Sequence, residues 1–144
     1  MRPFNRYKTS DKIPYSETGI EEFLEKELKQ YQGKSFYCKA LGVSVMVTAR
    51  SIKEIAHNSR FNRQSAALAL MLPYTISNAK VIELHLPVIS NQQKRFQFQD
   101  IAKLLCNVPK YGIAKLTIGF KQNGEAYIYA ITNYQNTKTN LFID

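Results

Sequence analysis

The segment GIAKLTIGFKQNGEAYIYAIT, residues 112–132, contains two runs of alternating character separated by KQNGE. Alternation with a period of two marks strands, and Asn123-Gly124 is the dipeptide favoured in a two-residue hairpin turn. Pairing across that turn sets Lys121 opposite Ala126, Phe120 opposite Tyr127, Leu116 opposite Ile131 and Lys115 opposite Thr132. One face then carries Leu116, Ile118, Phe120, Tyr127, Tyr129 and Ile131, which is a core surface. The other carries Lys115, Thr117, Gly119, Ile128, Ala130 and Thr132, a surface of small and hydroxyl residues with one amine.

Working back from this hairpin, FQFQDIAKLLCNV (96–108) reads equally as helix or strand, and SNQQKRFQFQD is a polar connection leading into it. AKVIELHLPVI (79–89) suits a short strand or irregular extended segment, because Pro87 argues against a long central strand. His85 lies there between Leu84 and Leu86, the setting of a half-buried structural histidine. NRQSAALALML (62–72) is a helical run that Pro73 should end. SFYCKA and VSVMVTA are two strands joined tightly through Leu41-Gly42. Ser16 caps a helix with Ile20, Phe23, Leu24, Leu28 and Tyr31 at helical spacing, stopped by Gly33. Forward of the hairpin, TNLFID can add a terminal strand. Helices thus segregate toward the N-terminal half, and the class is α+β with an antiparallel sheet. The expected division is an extended arm or lead-in over residues 1–15 and a single α+β domain over 16–144.

Length and composition agree with one globular domain: 144 residues, 44% hydrophobic and 22% charged. The longest apolar run, AALALML, is far short of the roughly 20 residues of a membrane span, and no signal-peptide core follows Met1. A cytoplasmic protein with no membrane partner is the expectation. Cys38 and Cys106 lack metal-ligand spacing and read as buried thiols.

The net charge of +9 is unevenly placed. Residues 1–30 hold six basic and six acidic side chains, so residues 31–144 carry fourteen basic against five acidic. Such an excess is the footprint of a protein that meets polyanions, with nucleic acid the first partner and an acidic inhibitor or partner protein the main rival.

That charge concentrates in RSIKEIAHNSRFNR, residues 50–63. Ser51 followed by Glu54 is a capping-box pattern that would start a helix. At 100° per residue Arg50, Lys53, His57 and Arg60 share one side, opposite Ile52, Ile55 and Ala56. A break near Asn58 and Ser59 would remove Arg60 from the stripe. The stripe is either a solvated helix face or a phosphate-handling surface.

There is no P-loop, GxGxxG, HExxH or EF-hand loop, and the carboxylates beyond the first helix are scattered singly. A two-metal nuclease needs clustered acids, so the chemistry left open is metal-free chemistry on a phosphate, with no cofactor and no metal. Cleaving RNA this way needs a base for the 2′-OH proton, an acid for the leaving 5′-oxygen and cations for the charged phosphate. The 2′-OH favours RNA over DNA as substrate. Histidine suits the proton-transfer role, and nearby arginine and lysine favour its neutral form. Thr117, Thr132, Tyr127 or Tyr129 would position the phosphate.

SIKEIAHNSRFNRQSAALALMLPYTISNAKVIEL, followed by FQFQDIAKLLCNV and the 112–132 hairpin, resembles the large polyvalent protein-associated domains of phages and conjugative elements. These are grouped with the barnase/EndoU/colicin/RelE-like (BECR) nuclease fold. The pattern runs from about Val43 to Thr132: a helix with an Ile-Lys-x-x-x-x-His core, a helix ending at a proline, an Asn-Ala before a strand, and a closing hairpin. The resemblance implies a curved antiparallel sheet that carries a metal-independent ribonuclease site in active relatives. His57 maps onto a family position, with Arg50 and Lys53 following by adjacency; a second catalytic histidine has no counterpart. The expected function is a toxin-like or host-modifying endoribonuclease of a mobile element, with His57, Lys115 and Thr132 catalytic and Arg50, Lys53, Arg60 and Arg63 on phosphate. The alternative is a non-catalytic accessory domain that docks nucleic acid or an acidic partner through the same stripe.

Overall fold

A computed structural model describes residues 12–88 and 98–134. The expected terminal strand TNLFID and most of the 90–100 connection and of the N-terminal arm lie outside the described residues. Helix α1 (Glu17–Leu28) is capped by Ser16, whose Oγ accepts from Gly19 N–H, and it buries Ile20, Leu24 and Leu28. A 3-10 turn (Lys29–Tyr31) follows, and Gly33 takes φ +82° beyond it, where a side chain would be strained. Strands β1 (Ser35–Cys38) and β2 (Val43–Met46) pair antiparallel, as their composition predicts.

Helix α2 (Ala49–Ser59) begins one turn earlier than the Ser51/Glu54 box suggests. Its cap is Thr48, whose Oγ1 accepts from Ser51 N–H at 3.0 Å; Ser51 is itself buried, its Oγ 3.0 Å from the Thr48 hydroxyl. Helix α3 (Arg63–Ala69) is capped by Asn62. Pro73 does not simply end the run. It stands in the first turn of a further short helix, α4 (Leu72–Asn78), where its missing N–H costs nothing.

Strands β3 (Lys80–Leu86), β4 (Asp100–Val108), β5 (Gly112–Phe120) and β6 (Ala126–Asn133) complete a curled six-stranded sheet of order β1-β2-β6-β5-β4-β3. The ambiguous 96–108 segment is thus strand from Asp100 onward. The fold is α+β as expected, but the sheet is mixed, because β2 runs parallel to β6 through Val45↔Ala126 and Met46↔Tyr127. That pairing covers only the first two residues of β6. Further along, where no strand pairs with it, β6 is met by two buried hydroxyls: Ser59 Oγ donates to Ile131 O at 2.8 Å, and Asn133 N–H donates to Ser65 Oγ at 2.8 Å. Buried backbone groups need such partners, so these serines do for β6 what a neighbouring strand would do.

The β5–β6 hairpin departs from the simple two-residue turn. Gly124 N–H bonds Lys121 O, Lys121 N–H bonds Glu125 O, and Gly124 sits at φ +88°, so the loop is one residue longer and the register starts shifted, with Phe120 opposite Ala126. A β-bulge at Tyr129 then restores the expected Leu116↔Ile131 and Lys115↔Thr132 pairs. The bulge also exchanges faces: Ile128 joins Ile118 in the main core, and Tyr127 and Tyr129 turn to the opposite side.

All four helices lie on one face of the sheet, over Ala102, Leu104, Cys106, Leu116, Ile118, Ile128 and Ile131. Cys38 and Cys106 are buried thiols, and burial pushes Cys106 up to about 11. Among the described residues no helix is long and apolar enough to cross a membrane.

Candidate functional site

The face of the sheet away from the helices has two halves. Near the β5–β6 turn, Phe98, Ile101, Tyr127, Tyr129 and Ala130 pack together with Met46, Leu86 and Val88 at their margin. Phe98 packs directly over Gly119: a β-carbon there would be 2.3 Å from two of its ring carbons. Glycine in the middle of β5 is thus a packing requirement, since only a residue without a side chain admits the ring.

The other half is more polar, although Leu105 within it is buried. Strand register places Lys103 opposite Thr117, Leu105 opposite Lys115, and Lys115 opposite Thr132. These residues alternate with the core-facing Leu104, Leu116 and Ile131, so they share the outer face. Lys103 Nζ donates to Thr117 Oγ1 at 2.9 Å, and Lys115 is its diagonal neighbour across the β4–β5 pair. Burial first, and the Lys115 charge second, lower the Lys103 pKa below the usual lysine value; Glu83, opposite it on β3, raises it by less. Lys115 Nζ lies 6.0 Å from the ring centre of Tyr134. Register also puts Lys80 beside Leu105 on this face. Two amines are therefore held close together on a half-buried surface against their mutual repulsion, an arrangement that an anion would relieve.

The helical stripe is elsewhere. Arg50, Lys53 and His57 are exposed on the outer side of α2, whose inner side buries Ile52, Ile55 and Ala56 against the sheet. His57 Nδ1 is 3.4 Å from Glu21 Oε2 of α1. The sheet and the core stand between His57 and the pair Lys115 and Thr132, so these three do not form one catalytic constellation. Arg60 follows the last turn of α2, its guanidinium bonding back to His57 O and lying 3.8 Å from the centre of the Phe61 ring. Arg63, expected on phosphate, is engaged elsewhere: Nη2 donates to Ile13 O at 2.8 Å, Nε reaches Ile13 O and Pro14 O, and its guanidinium stacks on Tyr15 at 4.0 Å. It secures the segment before α1.

Tyr127 is likewise committed, its hydroxyl donating to Glu125 Oε1 at 2.7 Å, which lowers the Glu125 pKa and raises its own. His85 is not half-buried. It is exposed at the irregular edge strand β3, in the left-handed region at φ +56°, with Nδ1 2.6 Å from Asp100 Oδ2.

Sequence reasoning missed Lys103. A signal was there, since Ile-Ala-Lys-Leu occurs at 101–104 and again at 113–116. Once 100–108 is strand, the lysine of each copy must face away from the leucine that follows it.

Comparison of the chain with protein-family models, with curated proteins and with solved structures returned no match.

Proposed function

We propose that the outer sheet face is a phosphodiester site and that the protein is a metal-independent endoribonuclease working from it. The observation that carries this reading is the Lys103–Thr117 hydrogen bond beside Lys115. A lysine whose pKa is lowered gives up its proton more readily than an ordinary one, which suits it to proton transfer. Lys103 takes the proton of the ribose 2′-OH, and O2′ attacks phosphorus. The P–O5′ bond breaks, leaving a 2′,3′-cyclic phosphate and a 5′-hydroxyl. Lys115 stabilises the added negative charge and returns a proton to O5′, while Thr117 and Thr132 hold non-bridging oxygens. The resemblance to BECR-fold nucleases, whose active members carry their site on the sheet, supports the same location. His57 has no part in this scheme.

The test is incubation of the purified protein with labelled RNA in EDTA. Cyclic-phosphate ends, lost in Lys115→Ala, support the proposal; intact RNA at high enzyme concentration defeats it. The exposed row Arg50, Lys53 and His57 favours a second reading, a binding module that docks nucleic acid on α2 without cleaving it. It predicts RNA affinity that falls steeply with salt, is lost in Arg50→Ala/Lys53→Ala, and yields no product.

A further inference from the structure

Among the described residues five large apolar side chains are exposed, and two of them, Phe61 (62%) and Tyr15 (83%), carry a stacked arginine. Both belong to one corner of the molecule. Phe61 stands between α2 and α3 with the Arg60 guanidinium against its ring. Tyr15 is held to the same corner by Arg63, which also grips the Ile13 carbonyl. Solvent exposure of a whole aromatic ring is unfavourable in a free domain, and arginine on one side covers only half of it.

The corner is fixed beside the proposed phosphate site. Ser59 and Ser65, its two ends, bond Ile131 O and Asn133 N, the backbone groups on either side of Thr132. Thr132 pairs directly with Lys115 one strand away, a spacing of about 4.8 Å. Gln64 Nε2 donates to Tyr111 O at 2.8 Å and ties the corner to the β4–β5 turn as well. The α2–α3 corner therefore borders the edge of β6 at Thr132, one strand from Lys115.

Resting on the phosphodiester reading above, we infer that Phe61, backed by Arg60, is a stacking subsite for an unpaired base, so that the substrate is single-stranded RNA. The outward ring face accepts a base, and the guanidiniums supply positive charge to the adjoining phosphates. Bases inside a duplex are already stacked and offer no face to the ring, which is why the geometry selects single strands.

The chain contains no tryptophan, so Phe61→Trp introduces a single tryptophan at the subsite, which can be excited apart from the tyrosines. The probe is a single-stranded 2′-O-methyl oligoadenylate, which cannot be cleaved through its 2′-oxygen, with a blunt RNA duplex and inorganic polyphosphate as charge-matched controls. Binding is followed independently by anisotropy of labelled oligonucleotide. Quenching that saturates with single-strand binding, with little from duplex or polyphosphate, is the expected result. Phe61→Ala should weaken single-strand binding by about tenfold and leave duplex binding unchanged, since loss of one stacked base is of that order. Single-strand binding without quenching, or equal quenching by polyphosphate, overturns the subsite and leaves the phosphodiester reading standing. No oligonucleotide binding at low salt overturns both, and an acidic protein that quenches where RNA does not would assign the corner to a protein partner instead.

Discussion

Gly119→Ala tests the packing that shapes the outer sheet face. The added β-carbon would lie 2.3 Å from Cδ2 and Cε2 of Phe98, a ring only 6% exposed. Carbon atoms pack at about 3.5–4.0 Å, so the ring must retreat by more than an ångström. It cannot do so without leaving Ile101, Tyr127 and Tyr129. Full burial of such a side chain contributes about 1.5–3 kcal/mol, and alanine recovers about 0.5–1 kcal/mol of glycine's entropic cost in a strand. The net expectation is a loss of about 1–2 kcal/mol, or a melting temperature lower by about 3–6 °C for a chain of this size. Urea and thermal denaturation of four proteins give the cycle: wild type, Gly119→Ala, Phe98→Ala and the double variant. With Phe98 truncated the clash disappears, and Gly119→Ala should become neutral or slightly stabilising. Equal destabilisation in both backgrounds would refute the claim that Phe98 is what requires a glycine.

Three further outcomes follow from particular groups. Thr48→Ala should cost about 1 kcal/mol by removing the α2 cap, whereas Glu54→Gln should leave stability almost unchanged; denaturant midpoints compare them. Because the folded-state pKa of Lys103 lies below its unfolded value of 10.5, the unfolded chain binds more protons between those two values, and this group's destabilisation is fully present below the folded pKa and relieved as pH rises through the window. Lys103→Met should therefore raise stability at neutral pH by a margin that shrinks toward pH 10.5, as read from unfolding midpoints across the pH range. Cys106, buried and pushed up to about 11, should resist a thiol reagent at pH 8 in the native protein and react on unfolding.

Much of the architecture was legible because the relevant signals are local. Ser16 and Gly33 bracket the first helix, β-branched runs mark β1 and β2, and the alternation along 113–120 and 126–132 gives the β5–β6 pair. The misreadings came from choices that neighbours make. Asn123-Gly124 fits both a two-residue turn and the longer loop that forms, and the extra residue is compensated only by the bulge at Tyr129. The 100–108 run is buried on both faces over much of its length, which removes the alternation that would have distinguished strand from helix. Pro73 is as acceptable at the start of a helix as after its end.

The candidate site divides along the same line. Helical periodicity placed Arg50, Lys53 and His57 on one face of α2, and they are there. Periodicity cannot say which face of the sheet a helix covers, and that decision separates His57 from Lys115 and Thr132. Arg60 and Arg63 lie beyond the end of α2, where their guanidiniums turn to Phe61 and Tyr15. Lys103 emerged only with strand register, because its significance is its position beside Thr117 and Lys115.

Single-turnover RNA cleavage in EDTA by Lys103→Ala and His57→Ala distinguishes chemistry on the outer sheet face from chemistry on the α2 stripe. Lys103→Ala should lose cleavage by at least about a hundredfold, the usual scale for removing a proton-transfer group, and His57→Ala should cut at the wild-type rate. Loss of cleavage in His57→Ala with full activity in Lys103→Ala would contradict the account and return the chemistry to the helix.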